Sequence, residues 1–225
     1  MNLERFEALI GKENLNKIKK LNILLIGIGG VGGYALETLV RSGIENITII
    51  DYDKIDSSNL NRQIITNTNN IGKLKITEAF NRYKDINPYL KLKVFPVFLD
   101  KDNIHEIDIK PYDYIIDACD SINTKELLIN EALKNNIKII SSMGTAKKMD
   151  ATKLSITTLD KTSYDPLAKI LRNRIDKKYQ RKIKVISSNE EPKKIEVLGS
   201  NSYVPATAGL LITNYIINDT LKETD

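Results

Sequence analysis

Residues 21–53 read LNILLIGIGGVGGYALETLVRSGIENITIIDYD, and no other stretch constrains the fold as much. An unbroken apolar run enters a seven-residue turn that holds five glycines. A helical pattern follows, and then a second apolar run that ends on two acids. Residues 23–26 show no polar alternation, which suits a strand covered on both faces. Val31, Ala35, Leu36 and Leu39 share one helical face over residues 31–42, and Gly43 accepts the left-handed conformation that ends a helix. Residues 47–50 form the second strand. The stretch is a βαβ unit with a right-handed crossover.

The turn itself points to a ligand. Gly27, Gly29 and Gly32 occupy the positions of a Gly-x-Gly-x-x-Gly fingerprint, with Gly30 in the same cradle. Gly27 permits the tight turn, Gly29 lets phosphate oxygens reach the backbone, and Gly32 allows close helix–strand packing. Backbone N–H groups at the helix start then face phosphate. Asp51 and Asp53 end the second strand. Asp51, 24 residues after Gly27, is the better acceptor for a ribose hydroxyl by spacing. A nucleotide site is expected, but the half-motif alone leaves NAD and ATP open.

The next segments separate those two. Asn59, Arg62 and Lys75 follow the acid-tipped strand, and Asp120 follows a later one in Asp117-Ala118-Cys119-Asp120. Arg offers a planar donor fork to a polyphosphate and Lys a mobile point charge. A carboxylate beside a triphosphate is unfavourable unless it holds Mg²⁺, so Asp120 is the metal candidate. Simple dinucleotide docking needs no such cluster. Transfer of a nucleotidyl group does: an oxyanion attacks the α-phosphorus of ATP and pyrophosphate leaves. Arg62 and Lys75 stabilise the growing charge, with Asp120-bound Mg²⁺ screening the leaving phosphates. A surface salt bridge is the alternative for each of the three.

The rest of the chain continues an α/β alternation. Helices are expected at 2–10, 71–83 and 124–135, strands at 90–98, 114–116 and 137–141, and residues 15–21 lead into the first strand. Strands at 154–159 and 185–188 extend the sheet, and residues 190–202 form a charged loop around a short strand. A basic helix spans 166–179, and an apolar helix spans 203–220, where Tyr203 and Pro205 fix its start. Residues 222–225 fray. There is no long linker, so one domain is expected, with a nucleotide-binding part at about 20–145 and a substrate-side part at about 146–225. No run reaches the ~18 apolar residues of a membrane span, and the start resembles no secretory signal. One cysteine, Cys119, excludes an intramolecular disulfide framework and a four-cysteine zinc site; cytoplasm is the default. His105 has no second histidine to make a metal pair. Ser141 and Ser142 have no visible base partner, while Lys161 and Thr162 could reach substrate.

Charge is uneven. Residues 169–184 carry eight Lys/Arg (Lys169, Arg172, Arg174, Lys177, Lys178, Arg181, Lys182 and Lys184) against one Asp. That excess surpasses the net charge of +5 for the whole chain. A local basic patch suits an anionic partner such as a nucleic-acid backbone; a solvated amphipathic helix is the alternative.

GxGGVG, DYDKIDSSNLNRQ, IGKLK, INP and DACD together resemble the adenylation domain of E1-like (ubiquitin-activating-like) enzymes. Arg5-Phe6, RSGI, SSMGTAKKMD, KTSYDPLAKILR and SSNEEP narrow the resemblance to the tRNA threonylcarbamoyladenosine dehydratase family, over residues 5–211. That resemblance implies a Rossmann-like E1-type α/β fold with a mostly parallel sheet. It implies ATP-dependent activation of the carboxylate of N6-threonylcarbamoyladenosine at position 37 of tRNA, then ring closure with loss of water. It further implies a homodimer, an ATP site at Gly29, Asp51, Asn59, Arg62, Lys75 and Asp120, and an Arg5 lent to the partner subunit's phosphates. The basic patch would carry tRNA phosphates. The other reading is adenylation of the C-terminal glycine of a ubiquitin-like or sulfur-carrier protein. A thioester step disagrees with the sequence, because the only cysteine lies inside the nucleotide motif and EVLGS (196–200) has none.

Overall fold

The computed structural model describes residues 1–222; residues 223–225, most of the segment expected to fray, lie outside the described residues. Seven strands form one sheet in the order β3-β2-β1-β4-β5-β7-β6. They are β1 (Asn22–Ile26), β2 (Asn46–Ile50), β3 (Lys91–Phe95), β4 (Tyr114–Asp117), β5 (Lys138–Ser142), β6 (Leu154–Thr158) and β7 (Lys184–Ser188). All neighbours pair in parallel except β6, which returns antiparallel to β7. The helices are α1 (Glu4–Ile10), α2 (Lys12–Lys20), α3 (Gly32–Arg41), α4 (Lys75–Ile86), α5 (Ile122–Asn135), α6 (Pro166–Arg174), α7 (Lys177–Gln180) and α8 (Tyr203–Lys222). This is the mostly parallel α/β sheet expected from the βαβ unit, extended by β7 and β6. None of these helices is long and apolar enough to cross a membrane.

The apolar runs are buried because both sheet faces are covered. Along β1, Ile23 and Leu25 pack into one core with Leu36, Leu39 and Ile212, while Leu24 and Ile26 enter a second core with Leu128 and Leu171. The period-two alternation of a strand thus divides one apolar run between two layers. The glycine turn is shaped by equally hard contacts. Gly27 has φ +83°, and a Cβ there would sit 2.8 Å from the Ala118 carbonyl oxygen. At Gly32 a Cβ would come within 1.8 Å of the Gly27 carbonyl oxygen, so a side chain is excluded where α3 presses on its own strand.

Five local expectations are corrected. Residues 12–20 form a helix instead of a lead into β1; only Leu15 and Ile18 of it are buried. The fourth helix starts at Lys75, not at residue 71, because residues 71–74 are held by Lys73 N–H to Asn70 and Lys54–Leu74 bridging. The basic segment is two helices broken at Ile175 and Asp176, where the Asp176 side chain accepts the Lys178 N–H and caps the second. Lys184 belongs to β7. No strand lies in residues 190–202, where Ile195, Val197 and Leu198 are exposed.

Candidate nucleotide and substrate site

Strand order reverses between β1 and β4, and ligands of open α/β sheets bind outside the carboxyl ends of strands at such a switch. A cavity of ≈ 650 Å³ opens there, inside the range of about 300–1,000 Å³ typical of ligand sites. Gly27, Gly29, Gly30, Asp51, Asp53, Asn59, Arg62, Lys75 and Asp120 all line it. Gly32 stays behind the wall as a packing residue.

The acids of β2 hold the turn together. Asp51 accepts the Ile28 N–H at 2.8 Å through Oδ2 and the Asp53 N–H at 2.8 Å through Oδ1. Burial raises its carboxyl above the usual range, and those N–H bonds and the Lys75 charge oppose the rise. Lys75, the first residue of α4, is buried and donates to Asp53 Oδ2 at 2.7 Å. Its cation therefore already faces an oxyanion. No side chain caps α3 or α4, which leaves both helix starts to other acceptors.

A short 3-10 turn, Ser57–Asn59, opens the next motif. Asn59 is buried in a capping box, its Oδ1 accepting the Asp56 N–H at 3.1 Å. Arg62 arches over the glycine turn: its Cγ lies 3.4 Å from where a Gly30 Cβ would stand. Its guanidinium donates only to neutral oxygens, the Ser58 carbonyl at 2.7 Å and Asn61 Oδ1 at 3.0 Å. That charge is uncompensated by any of its hydrogen-bond partners. Gln63 follows, and its Oε1 is buried without a hydrogen-bond partner while its side chain lines the cavity. Asp120 is exposed at the mouth. Beside it, the Asp53 charge first, and burial and the Asp120 charge after it, push the Tyr52 hydroxyl up.

The cavity has a second wall that sequence reasoning did not assemble. Residues 142–146, Leu167 at the start of α6, and Leu198, Ser200 and Pro205 around the start of α8 border it. Asp165 ties this wall: Oδ2 accepts the Gly144 N–H at 2.8 Å and Oδ1 caps α6 through the Ala168 N–H at 3.0 Å. Pro205 packs 3.3 Å from the place of a Gly30 Cβ, so it touches the phosphate turn as well as opening α8. Lys125 and Val97 to Leu99 also line the cavity. The missed signal for Lys125 was its place one turn inside a helix that starts just after the acid motif.

Other expected residues lie elsewhere. Arg5 is exposed on α1, in a separate surface depression with Asn2 and Arg41. Thr162 is buried, and its hydroxyl and carbonyl are occupied by the Arg172 guanidinium. Arg172 is accordingly half-buried and turned inward. Arg174 pairs with Glu126 at 2.9 Å, Lys178 with Asp176 at 3.1 Å and Arg181 with Asp160 at 3.5 Å. Lys169, Lys177 and Lys182 are exposed, and Lys184 is half-buried. Cys119 lines the cavity, but burial, and then the Asp117 charge, push its thiol far up, away from the nucleophilic thiolate form. Among the described residues no group of three or more His, Cys, Asp or Glu could hold a metal ion.

The family model described as the ThiF family matches residues 3–218. Over 97% of this chain and 94% of its own length, the tRNA threonylcarbamoyladenosine dehydratase of Bacillus subtilis is 35% identical. The chain belongs to the ThiF family, in its tRNA threonylcarbamoyladenosine dehydratase branch. The dehydratase of Escherichia coli is 38% identical over 74% of this chain and 62% of its own length. A crystal structure of the E. coli dehydratase in complex with ATP superposes with a TM-score of 0.91 at 31% identity, covering 98% of this chain and 94% of that one. The complex with AMP gives 0.92 over the same shares. Within the ThiF family, a sulfur carrier protein adenylyltransferase from Thermus thermophilus aligns over only 55% of this chain.

Proposed function

We propose that this ThiF-family chain uses ATP to dehydrate N6-threonylcarbamoyladenosine in tRNA through a carboxyl-adenylate, releasing AMP and pyrophosphate. One observation carries the reading: a single cavity gathers the glycine turn, Arg62, Lys75 and Asp120 and continues to a second wall at 142–146 and Leu167. The first half suits ATP and the second leaves room for an acceptor. The Bacillus subtilis dehydratase matches nearly end to end and the carrier-protein adenylyltransferase over only 55% of this chain, which favours this over adenylation of a carrier protein.

The chemistry follows from charge. A carboxylate oxygen of the substrate attacks the α-phosphorus, and the bond to the bridging oxygen breaks, releasing pyrophosphate. No general base is needed, since the nucleophile is already an anion. Arg62, whose partners are all neutral, and Lys75 stabilise the charge gathered on phosphoryl oxygens. The acyl carbon is then attacked from within the same side group and the nucleophile loses its proton. AMP departs with the former carboxylate oxygen, so the nucleoside has lost one water. The donor set is too sparse to cage a metal alone but fits a cation shared with phosphates. Asp120 would hold Mg²⁺, which would screen the leaving phosphates.

Asp51 takes the ribose, with Asp53 and Asn59 beside it. Residues of about 20–145 form the nucleotide part and those of about 146–225 the substrate part of one domain, joined by β5–β7 pairing. Arg5 lines a depression separate from its own cavity, which supports a homodimer in which it reaches the partner subunit's phosphates. Of the basic run, Lys169, Lys177, Lys178, Arg181 and Lys182 are exposed for tRNA phosphate contact. The work is cytoplasmic, where tRNA is processed.

Incubation with ATP, Mg²⁺ and threonylcarbamoylated tRNA should remove one water from the modified nucleoside, read by mass, with stoichiometric AMP. An unchanged nucleoside, together with an adenylated carrier-protein C-terminus, would sink the reading.

A further inference from the structure

The most deeply buried ion pair among the described residues lies under the cavity and has no part in the scheme above. Lys125 and Asp117 are 1% and 0% exposed, 3.0 Å apart. The ammonium has three protons and three close acceptors: Asp117 Oδ1 at 3.1 Å, Oδ2 at 3.0 Å and the Ser142 carbonyl at 2.8 Å. Although Lys125 lines the cavity, no proton is left for a substrate. Asp117 is equally committed. Its Oδ2 accepts the Ser141 hydroxyl at 2.5 Å, and its Oδ1 accepts the Cys119 N–H at 3.3 Å and the Cys119 thiol at 3.2 Å.

Each partner ends a different element. Asp117 closes β4, Ser141 and Ser142 close β5, and Lys125 reaches in from α5. From those strand ends the chain runs straight into cavity wall: residues 118–121 on one side, with Asp120, and residues 143–146 on the other. Stability is a weak account of such a pair, because a buried ion pair is often matched by apolar packing of equal volume. Its geometric consequence is specific: it ties the turn of Asp120 to the wall of residues 143–146.

We infer that Lys125 and Asp117 are positioning residues for the adenylation step, fixing Asp120 and the acceptor wall at their working separation. The inference rests on the ATP reading above. It predicts a loss in turnover out of proportion to any loss in nucleotide binding, because displacement by about 1 Å costs on the order of 100-fold in rate while contacts to bound ATP persist.

Cys119 is the only cysteine and touches Asp117, so its thiol reports on the same turn without any tRNA present. The test uses the double variant Asp117→Asn/Lys125→Met, which leaves no unpaired buried charge. Labelling of Cys119 by a disulfide reagent should accelerate at least about 10-fold as the turn loosens. Affinity for ATP by calorimetry should stay within about 3-fold, while kcat for pyrophosphate release falls by about 30-fold or more. Lys125→Arg, which keeps the charge, should recover part of kcat. If the double variant does not fold, Ser141→Ala removes one anchor and no charge, and should move labelling and kcat the same way by smaller factors. Unchanged labelling, a wild-type kcat, or a kcat loss equalled by the loss in ATP affinity overturns the inference. A wild-type enzyme inactive on the tRNA, with the labelling difference intact, would instead count against the substrate reading alone.

Discussion

The cations over the glycine turn and the cations of the C-terminal basic run are held in opposite ways. Arg62 is half-buried beside neutral oxygens, and Lys75 is buried with one carboxylate that shares its cavity. In the basic run, Arg174, Lys178 and Arg181 each sit on an acidic partner at the surface, and Arg172 is spent inside the fold. Density of positive charge in sequence is therefore a poor guide to the field it produces. A single half-buried arginine over the glycine turn should matter more than the whole basic run, since salt screens charges at the surface more than partly buried ones.

Arg62→Ala strikes at that contrast most directly. Pyrophosphate release should fall by about 10²–10³, with melting temperature little changed because no hydrogen bond of Arg62 crosses the core. Near wild-type turnover would remove Arg62 from the reaction. Mixing then sharpens the point between subunits. Arg5→Ala and Arg62→Ala variants should each be nearly inactive. If Arg5 acts in the partner's site, co-refolded mixtures hold one intact site per mixed dimer, and activity should return to roughly a quarter of wild type at equal mixing and random pairing. Two inactive variants with no recovery on mixing would place Arg5 in its own subunit's site, and an active Arg5→Ala variant would place it outside the reaction.

Charge reversal at Lys169, Lys177 and Lys182 comes next in size. Apparent KM for tRNA should rise by about 10-fold at physiological salt, and the salt slope of binding should shrink by about two to three. Affinity for ATP should hold. If tRNA use is unchanged, the basic run is a solvated face and the RNA path lies elsewhere.

What could be read in the sequence divides along the same line. The strands were legible because parallel strands under helices are continuous apolar runs, and the set of residues that meets at the cavity because fixed spacing from a strand end fixes position. The second helix was illegible: KENLNKIKK buries only Leu15 and Ile18, too narrow a stripe to show a period. The short strand expected within the charged loop 190–202 does not form: Ile195 and Val197 alternate with charge, yet both are exposed. Lys125 reads as one more surface lysine; only the convergence of β4, β5 and α5 buries it. Arg172 likewise reads as part of a patch, since nothing local says that Thr162 will turn it inward.

That last residue supplies the smallest and cleanest discrimination. Arg172 donates to the Thr162 carbonyl and hydroxyl, and its own backbone carbonyl accepts from Gln180 Nε2 at 2.8 Å. Its side chain therefore braces the segment that precedes α6 against α6 itself, while Gln180 braces the segment that follows. Arg172→Ala should cost stability by about 1.5–3 kcal/mol, the range for hydrogen bonds made by a charged group, seen as a lower denaturation midpoint at constant slope. The dependence of tRNA binding on salt should not change, because a cation committed to neutral protein oxygens releases no counterion from RNA. A stable variant with a weaker salt slope would return Arg172 to the RNA-facing set, and would mean that the contact to Thr162 yields when phosphate arrives.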